Sequence, residues 1–236
     1  KVLPAAETET TVIVRGLTEE GAAFAMAAAM GSSAEVSGAA HLPETVTGKV
    51  IDGSLKGMAS TLLRVEGFGP SVDYRVESLK NLLASQGEIE TLPREKSRRL
   101  WREIRDCRPF STDVAKPLWR VSMTPSQGHA MVMALRMRTA VDVFYDWQGG
   151  LIWMQMDVEP GGELVRALIA AHGGGHATLV RAAPSVRAAV PVFQPQPQAL
   201  ATLSARLKEQ FDPKGILNPG RMYGWTDTAN SGGKDE

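Results

Sequence analysis

Arg120 has the clearest chemical claim in this chain. It stands inside Leu118-Trp119-Arg120-Val121-Ser122, an otherwise mostly apolar run. An unpaired charge is costly to bury, so a cation there must be paired or face a cavity. Facing a cavity, a guanidinium grips a carboxylate bidentately and in one plane. The alternative is a strand residue turned to solvent on an open sheet face. His176 follows Gly173-Gly174-Gly175 and opens a predicted strand. It could act as a base near neutral pH, or be a hydrogen-bonded structural histidine. Tyr145 and Arg181 are further candidates of the same kind. His172 and His176 are four apart, but three glycines separate them, so no helix presents both on one face. No other His/Glu group has ligand spacing, and no metal site is expected.

The elements that must position these residues follow a repeating order. Thr10–Leu17 is rich in valine and isoleucine and reads as a strand. Thr18 caps a helix that begins with Glu19 and Glu20 and ends at Gly31. Strands are predicted at Ala34–Leu42 and Ser60–Glu66, a helix from Ser71 or Asp73 to about Gln86, a strand at Glu88–Leu92 and a charged helix at Arg94–Arg105. The order then recurs. Leu118–Met123 is a strand, a helix runs from Pro125 to about Met137, and Ala140–Trp147 pairs with Leu151–Asp157 around Gln148-Gly149-Gly150. Gly162–His172 is a helix and Ala177–Ala182 the last strand.

Each half, about 9–108 and 117–183, therefore reads β-α-β-β-α-β. The expected fold class is α+β: a duplicated ferredoxin-like antiparallel sheet with helices on one face. Pro184–Gln198, with its four prolines, is expected to be an extended connector. A last helix carries Leu200, Leu203, Leu207 and Phe211 on one stripe. Residues 226–236 are polar and expected to be disordered. The expected organisation is one domain over 1–225 followed by that tail.

Composition narrows the partners. Lysine plus arginine and aspartate plus glutamate balance at 26 each over 236 residues, so nothing favours nucleic acid or an anionic membrane. The single cysteine, Cys107, excludes an intrachain disulfide and a cysteine-based metal site. Lys1-Val2-Leu3-Pro4 does not lead into a secretory signal, and no apolar run reaches membrane-spanning length. A cytoplasmic protein is expected. The run Arg94-Glu95-Lys96-Ser97-Arg98-Arg99 reads as a solvated helix face, or as a surface for a partner subunit.

Phe211-Asp212-Pro213-Lys214-Gly215-Ile216-Leu217-Asn218-Pro219-Gly220-Arg221-Met222 resembles the C-terminal signature of FAD-linked oxidases of the vanillyl-alcohol-oxidase type. Three more segments resemble the FAD-binding subunits of glycolate oxidases: Leu118–Ser122 with Pro125, Asp146–Trp153 and Gly174–Ala182. The resemblance implies the C-terminal cap domain of such a subunit, oxidising glycolate, a small 2-hydroxy acid, to glyoxylate with FAD as electron acceptor. It implies a larger flavoprotein subunit and an iron–sulfur subunit as partners, with any membrane association peripheral and through the complex only. It makes Arg120 the holder of a substrate carboxylate and brings His176 towards the flavin edge, with Arg120, His176 and Tyr145 as the catalytic candidates. It turns Asn218 and Arg221 towards the flavin domain, although turn chemistry alone also explains that pair.

The family's flavin domain precedes the cap and carries a Gly-rich pyrophosphate loop. No Gly-x-Gly-x-x-Gly run between strand and helix occurs here. FAD is therefore expected to be held mainly by a domain outside these residues, and the fragment alone is expected to be inactive. The alternative function is a non-catalytic ferredoxin-like module for ligand binding or complex assembly.

Overall fold

The computed structural model describes residues 5–157, 159–220 and Met222. Its first element is strand β1, Thr8–Arg15, in which Val12, Ile13 and Val14 are all fully buried. Successive side chains on a strand point to opposite faces, so three buried neighbours require cover on both sides. Helix α1, Glu19–Met30, starts where Thr18 Oγ1 accepts the Gly21 N–H at 3.1 Å. Then come β2 (Gly38–Leu42), a single turn α2 (Glu44–Thr47), β3 (Ser60–Gly67), α3 (Gly69–Leu83), β4 (Glu88–Leu92) and α4 (Arg94–Arg105).

The second half opens with β5, Leu118–Met123, and a 3-10 turn at Pro125–Gln127. It continues through α5 (Gly128–Arg136), β6 (Val141–Asp146), β7 (Leu151–Met156), α6 (Gly162–Ala171), β8 (Gly175–Arg181), α7 (Pro184–Ala189) and α8 (Gln198–Phe211). The eight strands among the described residues form one sheet in the order β4-β1-β3-β2-β6-β7-β5-β8. Every neighbouring pair is antiparallel. Outward from the β2–β6 seam both halves run second, third, first, fourth strand.

Helices α1 and α3 pack on Val12, Val14, Leu63 and Val65. Helices α5 and α6 pack on Trp119, Val121, Ile152 and Met154 of the other half. These four helices share one face. The expectation of helices on one face needs a correction at α4. Its Leu100, Trp101 and Ile104 join Ile13, Leu62, Phe110 and Phe144 in a core on the opposite face. Helix α4 explains why β1 is apolar on both sides. Strand β5, by contrast, alternates: Trp119, Val121 and Met123 are buried while Arg120 and Ser122 are half-exposed. That alternation marks a sheet with one covered face and one open face.

A second correction concerns the connector. Pro184 takes a first-turn position, where its missing N–H costs nothing, and starts α7. The following residues cap the free edge of β8: the Leu179 N–H donates to the Val192 carbonyl at 2.8 Å, and the Ala177 N–H to Gln194 Oε1 at 3.2 Å. Three short elements, α2 and the 3-10 turns Ile51–Gly53 and Arg108–Phe110, were not foreseen. The tail 226–236 lies outside the described residues.

Candidate functional site

On the face of the second half opposite α5 and α6, the register lines side chains up in rows across β6, β7, β5 and β8. The central row is Phe144, Trp153, Arg120 and Thr178. The next is Asp146, Leu151, Ser122 and His176. On the other side, Gln155 and Arg181 reach the segment after α4: Gln155 Nε2 donates to the Asp113 carbonyl at 3.1 Å, and Arg181 Nη2 to the Phe110 carbonyl at 2.7 Å. That segment covers one end of the face. Arg120, Trp153, Thr178, Ser122 and His176 stay at least partly open to solvent.

Arg120 thus has apolar aromatic surface on one side, where Phe144 and Trp153 stack with centroids 6.4 Å apart. On the other side it has hydroxyls and an imidazole. Its guanidinium lies 5.1 Å from the ring centre of Trp147, and no carboxylate pairs with it among the described residues. His176 shares this face. It is exposed, directly opposite Ser122 and diagonal to Arg120, a relation that sets Cβ atoms about 7–8 Å apart. Gly175 makes this approach feasible. At φ 151° its Cα presses on β5, and a Cβ there would meet the Ser122 carbonyl oxygen at 2.4 Å.

Tyr145 does not join them on this face. It is 3% exposed and faces the helices, on the opposite side of the sheet from Arg120. Its hydroxyl donates to Glu19 Oε2 at 3.0 Å, while Arg136 Nη1 donates to Glu19 Oε1 at 2.7 Å. Burial, and then the Glu19 carboxylate, push its hydroxyl well above the ordinary tyrosine range. It is a locked hydrogen-bond donor in the core.

The segment after α8 is shaped by Asp212, which is buried. Its carboxylate accepts the N–H groups of Ile216 at 3.0 Å and Leu217 at 2.9 Å, and it pairs with Lys208. Lys208 foremost, then the backbone donors, hold that carboxyl below the usual range. The clasp turns Ile216 and Leu217 outward, 71% and 58% exposed, beside Phe211 at 82%. Asn218 is exposed in a left-handed turn at φ 48°. Arg221 lies outside the described residues. Helix α8 has no fully buried residue, and Leu200, Leu203 and Leu207 stand open along it.

His172 gives its Nδ1–H to the Leu168 carbonyl at 2.8 Å and so ends α6. Among the described residues no cluster of three or more histidine, cysteine or acidic residues could hold a metal. Burial pushes the Cys107 thiol up to about 12, which leaves it unreactive near neutral pH.

The sequence reading missed Trp147, which it took as the end of the strand Ala140–Trp147. It also missed a groove of about 730 Å³ beside it, lined by Arg64, Arg98, Arg102, Trp101, Asp146 and Trp147. The one available signal was a bulky residue at the tip of a tight hairpin, in Trp147-Gln148-Gly149-Gly150.

No family model matches the chain. Over 123 residues, 52% of its length, it is 32% identical to the glycolate oxidase subunit GlcE of Escherichia coli (strain K12), and the match spans 31% of that protein. In fold it is similar to 4-ethylphenol oxidase from Gulosibacter chungangensis, with TM-score 0.62 and 12% identity, over 95% of this chain and 56% of that one. It is similar to p-cresol methylhydroxylase with TM-score 0.61 and 11% identity, over 93% and 53% of the two chains. Alkyldihydroxyacetonephosphate synthase gives TM-score 0.54 and 14% identity, over 94% and 46%. The chain spans about a third of the curated relative and about half of the solved structures.

Proposed function

We infer that FAD is the cofactor this chain works with, since the resemblance to FAD-linked oxidases read from the sequence is borne out by a relative in sequence and by these neighbours in fold. From that premise we propose that this chain is the cap domain, covering about residues 1–225, of a subunit that oxidises a small 2-hydroxy acid such as glycolate to the 2-oxo acid. The observation that carries the reading is Arg120. It is a cation without a carboxylate partner among the described residues, set on an open sheet face between aromatic and polar neighbours. A short hydroxy acid has one fixed charge, and a planar guanidinium fixes its carboxylate in one plane. Trp153, half-buried beside Arg120, offers an apolar wall for the carbon skeleton. Ser122 and His176 offer polar groups to the hydroxyl, and His176 is the base proposed to take its proton.

The residues present fit a flavin held largely from outside. A Gly-rich phosphate cradle is absent from the sequence. The apolar stripe of α8 and the plate of Phe211, Ile216 and Leu217 offer a dry face to the domain that holds it. Asn218 would meet that domain from the same segment. Bound FAD would accept the hydride. This chain's residues would bind the substrate, orient it and exclude water. The flavoprotein and iron–sulfur subunits are the partners proposed for the whole complex, in the cytoplasm. No helix among the described residues is long and apolar enough to cross a membrane.

The test is the visible spectrum of the full-length protein with and without glycolate. Bleaching of the flavin band by glycolate, lost in Arg120→Lys, is the expected result. A yellow protein that glycolate leaves unchanged, alone and in its complex, would favour the second reading, an assembly module. The exposed apolar stripe of α8 favours that reading independently of Arg120.

A further inference from the structure

We propose that Trp147 is a positioning residue that sets the plane and reach of the Arg120 guanidinium, an inference that rests on reading Arg120 as the carboxylate anchor. Trp147, Gln148 and Gly149 have φ of 51°, 61° and 95°, three successive residues in the left-handed region. A tight hairpin tip asks for that conformation, and asparagine or glycine supplies it at little strain. A bulky tryptophan there is a conformational outlier, and strain of this kind persists only where the surroundings impose it. Burial does not repay it, since Trp147 is 58% exposed.

The surroundings hold the tip tightly. Asp146 Oδ1 accepts the Trp147 N–H at 2.8 Å, and the Trp147 carbonyl accepts the Gly150 N–H at 3.0 Å. The Gly150 carbonyl in turn accepts the Met123 N–H at 3.0 Å, tying the tip to the end of the strand that carries Arg120. A Cβ on Gly149 would meet the Pro125 carbonyl oxygen at 3.1 Å, so the two loops fit closely. The result is an indole delivered over the Arg120 guanidinium at 5.1 Å.

A guanidinium held over a ring is shielded on that side and keeps its other N–H groups free. A carboxylate then approaches from the open side, where the planar fork can bind it bidentately. Trp147 also lines the neighbouring groove that holds Arg64, Arg98 and Arg102. The indole therefore borders both Arg120 and that second group of cations. Without it, Arg120 would be free to swing and would lose its fixed orientation.

The test uses the full-length protein in its complex, with Trp147→Phe, Trp147→Gly, Arg120→Lys and the Trp147→Gly/Arg120→Lys pair. Glycine relieves the left-handed strain, so Trp147→Gly should fold with an unchanged or higher Tm. It should raise KM for glycolate about tenfold and change kcat less than about threefold. Phenylalanine keeps a ring and should stay within about threefold of wild type. In the Arg120→Lys background the glycine change should add little, because the group it orients is gone. Normal KM in Trp147→Gly beside an impaired Arg120→Lys overturns the Trp147 inference and leaves Arg120 standing. Normal kinetics in Arg120→Lys overturn the anchor reading itself, and this inference with it. A lowered Tm with phenylalanine as harmful as glycine would assign Trp147 a structural role and also overturn the proposal.

Discussion

His41 and Tyr145 face each other across the seam where the two halves of the sheet meet, the one register pair that joins β2 to β6. Their ring centres are 6.0 Å apart and tilted by 43°. His41 is 1% exposed, its Nδ1 shares a hydrogen bond with Thr61 Oγ1 at 3.0 Å, and its Nε2 has no partner among the described residues. Burial, and then the Arg136 charge, push its pKa down to about 3.

A pH dependence follows. The unfolded imidazole takes a proton below about pH 6.5, and the folded one resists until about pH 3. Between these values the unfolded state binds more protons, so stability falls as the pH falls. The slope from this group approaches about 1.4 kcal/mol per pH unit. His41→Asn keeps a polar group near Thr61 and removes the titration. Denaturant unfolding from pH 7 to pH 5 should show wild type losing stability faster than the variant. Parallel curves would mean that His41 does not stay neutral in the fold.

Tyr145→Phe separates core from site. The variant loses the hydroxyl donated to Glu19, while Arg136 still holds that carboxylate. Stability should drop by about 1 kcal/mol, the usual net worth of such a bond. Turnover of glycolate by the full-length complex should be unchanged. A loss of kcat with normal stability would return Tyr145 to the chemistry.

Gly175→Ala and Gly174→Ala make a matched pair. Both glycines have positive φ, 151° and 81°, but only Gly175 meets the neighbouring strand, where a Cβ would be 2.4 Å from the Ser122 oxygen. Nothing lies within 4 Å of a Cβ on Gly174. Gly175→Ala should cost about 2–3 kcal/mol and loosen the β5–β8 pairing that brings His176 to Ser122. Gly174→Ala should cost about 1–2 kcal/mol, the left-handed penalty alone. Equal losses in thermal unfolding would show that the close approach is not real.

Much of this architecture was legible in the residues. Strand β5 matches its predicted limits, because Trp119 to Met123 alternates cleanly and Pro125 ends it. Thr18 caps α1 as its side-chain chemistry requires. The open face around Arg120 follows from the same alternation. The second layer over the first half was legible only in part. Thr11-Val12-Ile13-Val14 offered a continuous apolar run, the signature of a strand covered twice, yet the charged sequence of α4 concealed the packing of Leu100, Trp101 and Ile104. Tyr145 illustrates a different limit. Its face depends on register across the seam, and period-two patterning in Val143-Phe144-Tyr145 does not say which side is open when all three are buried. Trp147 was hidden because its backbone conformation contradicts its residue type.

The last prediction concerns α8. Leu200, Leu203, Leu207 and Phe211 are 48%, 54%, 53% and 82% exposed, on a helix that buries nothing fully within this chain. Isolated amphipathic helices of this length are marginal in water, so most of their stability comes from packing. The Asp212 clasp continues the apolar surface through Ile216 and Leu217. If the flavin-holding domain covers this surface, each buried side chain contributes about 1.5–3 kcal/mol to the docking. Leu203→Glu with Phe211→Glu removes two of them and places charges in the contact. The melting temperature of the 236-residue chain should change by no more than a few degrees, because neither residue supports its core. In the full-length protein the same pair should loosen the docked domain and lower the flavin retained on purification. Unchanged flavin content would show that α8 meets another partner. A large drop in the melting temperature of the chain itself would show that the stripe packs at home.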